Sequence, residues 1–360
     1  MLTKKVLVAG MSMLLVVFTA GFAQARTGEV LLGSFLYFDK NLSKPAGQSC
    51  ASCHLPTAGF ADPDQAIPVS AGVIPGRFGT RNSPSAAYAA YSPAIYFDDV
   101  EGLWIGGQFW DGRASTLEDQ AKGPFLNPLE MNNTKEGVIK AVRKAVYAPL
   151  FRAVYGAKSL NNVENAYNLV AQAIAAFEKS EAVNSFTSKY DYYLKGKVAL
   201  TAQEQRGLQL FNDPAKGNCA ACHPSADGET PPLFTDFSYD NLGMPVNSEI
   251  AALIGGDVPI DLGLGVTVGD SAENGKFKVS SLRNVAKTPP YGHNGYFKTL
   301  KQIVHFYNTR DVDPAWPAPE YGATVNTDEL GNLGLTSQEE DDIVAFLKTL
   351  SDYYVCKTCW

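Results

Sequence analysis

Histidine is scarce in this chain: His54, His223, His293 and His305 are the only four in 360 residues. None lies between His54 and His223, so a long stretch has no imidazole to offer a metal or a substrate. Of five methionines, Met1, Met11 and Met13 fall within the first 25 residues, leaving Met131 and Met244 for the body of the chain. Beyond residue 25 no apolar run approaches the ~20 residues a spanning helix needs, which argues against a membrane span. An excess of positive charge is also missing: 30 Lys and Arg stand against 37 Asp and Glu, a net charge of −7. That balance argues against nucleic acid as a partner.

What is present begins with Lys4 and Lys5 ahead of an apolar run that ends at Ala23-Gln24-Ala25. This pattern predicts a secretory signal peptide over residues 1–25 and an exported, periplasmic protein. The remaining length suits about two domains at ~150 residues each. Four of the six cysteines fall in two clusters, Cys50-Ala51-Ser52-Cys53-His54 and Cys219-Ala220-Ala221-Cys222-His223. C-x-x-C-H is the attachment signature of c-type haem: two thiols add to the porphyrin vinyl groups and the adjacent histidine reaches the iron. Disulfides or half a zinc site are the bland alternatives, and zinc wants four Cys or His ligands together. Two covalent haems are therefore expected, and their attachment outside the cytoplasm agrees with export. The last pair, Cys356 and Cys359, lies in CKTCW, where Trp360 stands in the histidine's place; a tail disulfide is expected. A basic redox protein is the partner that the negative charge favours.

Read in order, GEVLLGSFL at Gly28 to Leu36 predicts a short helix before the first motif. Thr201-Ala202-Gln203-Glu204 is a capping box that starts a helix before the second. Each half thus runs helix, Tyr-Phe or Leu-Phe with a nearby Asp, Pro and Gly, then CxxCH, which is an internal repeat of one haem-binding unit. Leu55 to Ala94 and residues 228–275 are Gly/Pro-rich and lack periodicity, as loops that wrap a cofactor would be. Helical spacing runs through residues 134–155, with Val138, Val142 and Val146 on one face, and through 161–181, with Ala166, Val170, Ile174 and Phe177. Tyr190 to Lys197 reads as the interdomain connection, and Thr336-Ser337-Gln338-Glu339 caps a last helix. The fold expected is mainly α, two haem domains at 26–190 and 191–360 with long loops.

Each iron takes its fifth ligand from His54 or His223, and the sixth position decides the chemistry. With no histidine between the motifs, the first iron cannot be closed by imidazole from its own domain. It is expected to stand open to peroxide, with Met131 as the competing cap. An open iron needs a group that moves a proton between the two oxygens of hydrogen peroxide, and a carboxylate such as Glu130 can do that.

Two longer runs are more specific: GGQFWDGRASTLEDQAKGPFLNPLEM, Gly106 to Met131, and GKFKVSSLRNVAKTPPYGHNGYFKTLKQIVHFYN, Gly275 to Asn308. With RNSPS at Arg81, YDNLGMPVN at Tyr239 and both haem motifs, they resemble the bacterial di-haem cytochrome c peroxidase and MauG family over nearly the whole chain. The resemblance implies two cytochrome c-like domains with a tryptophan between the haems, matched by Trp110. It also implies a distal pocket of Gln, Pro and Glu, matched by Gln120, Pro124 and Glu130. A calcium ion between the domains is implied as well, with Asn82, Thr288 and Pro290 at the matching places, and oxygen donors are what calcium prefers.

At the second haem the family's peroxidases commonly supply Met from the helix after PYxHxG, whereas the MauG branch has Tyr; here Tyr307 stands there. On a helix His305 and Tyr307 point to different faces, so Tyr307 as ligand, His305 as ligand and a purely structural Tyr307 are the alternatives. A phenolate ligand would stabilise oxidised iron, whereas Met favours the ferrous state. Two departures stand out: Ser280 replaces the family's usual Pro, and Gly217-Asn218 before the second motif offers no aromatic that could carry an oxidising equivalent outward. The expected function is a MauG-like peroxidase that shares oxidising equivalents between its haems and oxidises a protein substrate or small redox protein. The alternative is a cytochrome c peroxidase that detoxifies hydrogen peroxide with electrons from a small cytochrome or cupredoxin.

Overall fold

Ser, Thr and Asn residues whose side chains accept a backbone N–H mark where the long helices start. Thr116 opens α2 (Leu117–Leu126), Thr134 opens α3 (Lys135–Lys144) and Asn162 opens α5 (Val163–Glu178). Ser188 and Thr201 open α6 (Lys189–Leu194) and α7 (Ala202–Asn212), each with a reciprocal capping box. Thr299 and Thr336 do the same for α8 (Leu300–Thr309) and α9 (Ser337–Lys348). To these are added α1 over residues 27–38 and α4 (Ala148–Tyr155), begun by a proline in its first turn. The structure, a computed structural model, describes residues 27–226 and 231–356; the expected signal peptide lies outside the described residues. Strands are short and antiparallel, β1 (Tyr96–Asp98) with β2 (Leu103–Ile105) and β3 (Tyr239–Asp240) with β4 (Phe277–Lys278).

The internal repeat is built on two helix crossings. A Cβ on Gly33 of α1 would lie 1.9 Å from Ala173 O of α5 and 2.8 Å from Phe177 Cβ. A Cβ on Gly207 of α7 would lie 1.9 Å from Asp342 O of α9 and 2.9 Å from Phe346 Cβ. Backbone therefore touches backbone at both crossings, which only glycine permits. Four residues beyond each glycine, Tyr37 and Phe211 are fully buried. Around the first crossing Leu32, Val138, Val142, Phe151 and Ile174 form one core. Around the second, Tyr190, Phe234, Phe306 and Phe346 form another, with Phe211 and Phe346 edge to face at 5.1 Å. Burying each such ring contributes about 2 kcal/mol.

Two expectations are corrected. Residues 134–155 are two helices, not one, because Ala145 is extended and Pro149 starts the next helix; Val146 sits in the break and is 93% exposed. Tyr190 to Lys197 is not a linker, since α6 buries Tyr190 and Asp191 and Tyr190 packs edge to face on Phe346.

The halves meet along a polar seam. Tyr88 Oη donates to Asp352 Oδ2 at 2.7 Å, and Asp352 Oδ1 accepts from Thr187 N. The Arg283 guanidinium lies 4.8 Å over the Tyr88 ring and pairs with Asp191 at 2.9 Å, both side chains buried. Arg81 bridges Asp111 at 2.7 Å and Asp261 at 2.6 Å. Cys356 is in a disulfide, and Cys359, its expected partner, lies outside the described residues. Among the described residues no helix is long and apolar enough to cross a membrane.

Candidate active site

The first motif folds as a single helical turn, Cys50–Cys53, in which Ser49 and Ser52 cap one another. His54 N bonds back to Cys50 O at 2.9 Å. Its ring Nδ1 lies 3.2 Å from Phe60 O, and a carbonyl can only accept, so Nδ1 carries the proton and Nε2 keeps its lone pair for a metal. Burial lowers the imidazole's pKa, which favours the neutral, ligating form. Gln120 and Pro124, one turn apart on α2, line the same cavity as Cys50, Cys53 and His54. Glu130 and Met131 join them from the turn that follows. Asn127 Nδ2 donates to Glu130 Oε1 at 2.6 Å, and burial raises the Glu130 pKa above the usual carboxylate range. Met131 is 3% exposed and belongs to the first core, a packing role.

The second motif repeats this geometry. His223 N bonds to Cys219 O at 2.9 Å and Nδ1 donates to Phe234 O at 2.8 Å. Phe60 and Phe234, which supply the accepting carbonyls, both have left-handed backbone, at φ 60 and 54. In the cavity that His223 lines, α8 lays Leu300, Ile303, Val304 and Tyr307 along the wall, the i, i+3, i+4, i+7 stripe of one helix face. His305 is off that stripe; its side chain is 45% exposed and Nδ1 meets Glu340 Oε1 at 2.8 Å. Burial pushes the Tyr307 hydroxyl well up, with the motif thiols adding to the effect. Met244 also lines this cavity, a contact that the sequence did not indicate, and its thioether packs on Gly292, where a Cβ would meet Sδ at 2.4 Å.

All four motif thiols are free, so neither pair is a disulfide. Burial raises each of them, Cys53 and Cys219 to about 12. The one cluster of metal-ligand type among the described residues is Cys222 with Asp240 and Glu329, not the four Cys or His that zinc wants.

Between the cavities runs a shared wall: Pro84, Ser85, Ala89, Gln108 and Phe109 line both. Trp110 follows directly, lines the larger, second cavity, and donates from Nε1 to Asn82 O at 2.8 Å. Asn82 Nδ2 donates to Pro68 O at 3.0 Å, which leaves Oδ1 for a ligand, and Thr288 and Pro290 line the same cavity. His293 stacks on Phe277 at 3.6 Å and pairs with Glu320 at 3.0 Å.

Residues 27–199 match the family described as di-haem cytochrome c peroxidase. The chain is 38% identical to the methylamine utilization protein MauG of Paracoccus denitrificans, over 89% of this chain and 88% of that one. It is 32% identical to the cytochrome c peroxidase Ccp of Escherichia coli, over 91% of this chain and 58% of that one. Among solved structures, the diheme peroxidase BthA of Burkholderia thailandensis superposes with a TM-score of 0.83 at 35% identity, covering 90% and 86% of the two chains. The chain belongs to the di-haem cytochrome c peroxidase family. It is an oxidoreductase of the peroxidase class, built of two cytochrome c-like domains, and the family implies two c-type haems.

The residues of this di-haem peroxidase fit those groups. Each cavity presents two free thiols and an imidazole with its Nε2 unprotonated. In the first, Gln48 Oε1 and Glu178 Oε2 are buried and lack hydrogen-bond partners, as polar atoms next to a cofactor or its water do. In the second, Lys278 donates to Ser92 Oγ at 2.9 Å and to Gly107 O, and burial lowers its pKa to about 7, so that its ammonium lacks, among the described residues, the anionic partner that a haem carboxylate would supply. Sequence reasoning missed all three. Glu178 had a signal: it follows Phe177 on the apolar face of α5, where an acid is out of place. Lys278 had none, since a lysine in a short strand is ordinarily solvated.

Proposed function

We propose that this di-haem peroxidase is of the MauG-like branch, in which both haems take part in one peroxide reaction. The observation that carries the reading is Tyr307, on the α8 stripe that lines the same cavity as His223 and close enough to Cys219 and Cys222 to feel their charge, while His305 turns out to Glu340. When bound, the two haems supply the redox chemistry and hold the two oxidising equivalents of one peroxide. In the first cavity Glu130 takes the proton from the near oxygen of hydrogen peroxide and returns it to the far oxygen, which leaves as water. Its burial suits the task, because a carboxylate whose pKa burial has raised is a stronger proton acceptor than an exposed one. Gln120 orients the peroxide by hydrogen bonding, and Pro124 presents only ring carbons to that wall of the cavity. Tyr307 Oη would hold the second iron, whose charge would draw the proton from the phenol to solvent. Trp110, tied to Asn82 O beside the shared wall, is the link between the cavities.

Asn82 Oδ1 with the backbone carbonyls of Thr288 and Pro290 would hold a calcium ion, hard oxygen donors for a hard cation. The domain boundary is put at residue 190, and the protein in the periplasm. Electrons come from a protein substrate or a small redox protein.

The test is a stoichiometric hydrogen peroxide titration of the diferric protein, followed by haem absorption and EPR, beside a Glu130→Gln variant. The expected result is loss of both ferric EPR signals together in the parent and a response at least ~100-fold slower in the variant. Loss of one signal alone, or no response until the protein is half-reduced, overturns the reading in favour of an ordinary cytochrome c peroxidase.

A further inference from the structure

The β1–β2 hairpin sits in residues 89–112, a segment with no Lys, Arg or His. Phe97 and Trp104 face each other across the strands at 5.4 Å, and Asp98 Oδ1 accepts from Val100 N and Glu101 N to form the turn. An isolated two-stranded hairpin is marginal in water, yet this one turns its apolar side chains outward. Tyr96 is 45% exposed, Phe97 43%, Val100 89% and Leu103 38%, with Asp99 and Glu101 exposed between them. The register puts Phe97 on one face and Tyr96 with Leu103 on the other, so both faces and the turn of the hairpin expose apolar side chains among charges of one sign, as a contact surface does.

Its base is anchored at the cavities. Gly107 N donates to Pro93 O at 2.8 Å, Gly106 N donates to Phe237 O at 3.0 Å, and Tyr239 Oη donates to Gly106 O at 2.5 Å. Beyond Gly107 the chain runs through Gln108 and Phe109 of the shared wall to Trp110. Next to Tyr239, Asp240 lies with Glu329 within 4.8 Å of Cys222 Sγ, a thiol of the second motif. The base of the hairpin is therefore tied to Tyr239 of β3, whose next residue, Asp240, lines the second cavity.

We propose that the hairpin is the docking surface for the electron donor of the proposed peroxidase reaction, a small redox protein whose contact face is apolar and ringed by lysines. The aromatic tip supplies the desolvated centre, where interfaces concentrate Tyr, Trp and Phe. Asp99 and Glu101, both exposed, supply the field that steers a cation. The inference rests on the peroxidase reading, but docking is measurable apart from turnover.

The probe is ferric and ferrous mitochondrial-type cytochrome c, which is lysine-rich, against the resting protein by isothermal titration and then in turnover with peroxide. In Asp99→Lys/Glu101→Lys, binding at low salt should weaken about tenfold and lose most of its salt dependence. In Phe97→Ser/Val100→Ser it should weaken about as much at every salt concentration, while the haem absorption and the stoichiometric peroxide response of both variants stay as in the parent. KM should rise in both with kcat within about twofold. Binding by the variants equal to the parent's, or no binding by the parent, overturns the proposal. So does a change of oligomeric state in Phe97→Ser/Val100→Ser by sedimentation, which gives the face to a second copy of the chain. Failure of the peroxide titration with docking intact sinks the functional reading instead.

Discussion

Among single residues, Glu178 carries the clearest unmet demand. It is 5% exposed, its Oε2 has no partner, and it lines the first cavity beside Cys50. Burial raises its pKa to about 8, against ~4.3 for an unfolded glutamate. A carboxyl raised in the folded state favours folding fully below the unfolded value, and that contribution is lost as pH rises through the window up to about 8. The loss is on the order of a few kcal/mol. Thermal unfolding of the parent should therefore fall by several degrees more than that of Glu178→Gln between pH 5 and pH 8.5. Equal falls would mean that Glu178 is ionised and solvated in the folded protein. Its neighbourhood also shows what a sequence can and cannot display about a site. Cys50, Cys53 and His54 were legible because their chemistry is written in consecutive residues. Tyr307 against His305 was legible as a question of helix faces, since two positions apart is about 200° of rotation. Glu178 left only the trace of an acid on an apolar helix face, whereas Gln48 and Lys278 depend on what surrounds them in three dimensions, and no local pattern records that.

The element that most constrains the fold is the crossed helix pair, used twice. The close approach of α7 to α9 leaves no room at Gly207, where the nearest atom is the Asp342 carbonyl rather than a movable side chain. Gly207→Ala should force the crossing apart at a cost of about 2–5 kcal/mol, lowering the unfolding midpoint by about 5–15 °C. Because α7 leads straight into Cys219, the second haem should also load poorly, so that pyridine haemochrome assay gives a haem-to-protein ratio nearer one than two. An unchanged midpoint and two full haems would show that α7 can slide. The capped helices were legible, as Thr201 with Glu204 and Thr336 with Glu339 became the boxes that start α7 and α9. The break at Val146 was not, because Val138, Val142 and Val146 keep the right spacing while Pro149 alone signals a new start. α6 was misread for a similar reason: Ser188 and Asp191 form a capping box, but the aromatic run Tyr190 to Tyr193 resembles no amphipathic stripe. The β1–β2 hairpin lies outside the resembling runs, and its apolar residues face solvent, so the alternation that reveals a half-buried strand is absent.

For the whole molecule, the question is what makes two repeated units act as one enzyme. The seam relies on Asp352, which joins Tyr88 and Thr187, and on Arg81, which joins Asp111 to Asp261. Asn82 sits where this seam meets the chemistry: its carbonyl holds the Trp110 indole, its N–H bonds to His293 O at 2.7 Å, and its side chain is proposed to hold calcium. One residue thus ties the cation, the first domain and the wall of the second cavity, so that losing the ion should loosen Trp110 as well. An ion bound at 100 times its Kd stabilises the folded state by about 2.7 kcal/mol. Asn82→Ala, or exhaustive chelation of the parent, should remove one calcium per chain by atomic emission and lower the unfolding midpoint. The same treatments should make the two ferric EPR signals respond to peroxide separately instead of together. Asn82→Ala that keeps its calcium would place the ion elsewhere, whereas calcium loss with joint peroxide response intact would mean that the seam alone, through Asp352 and Arg81, holds Trp110 in register.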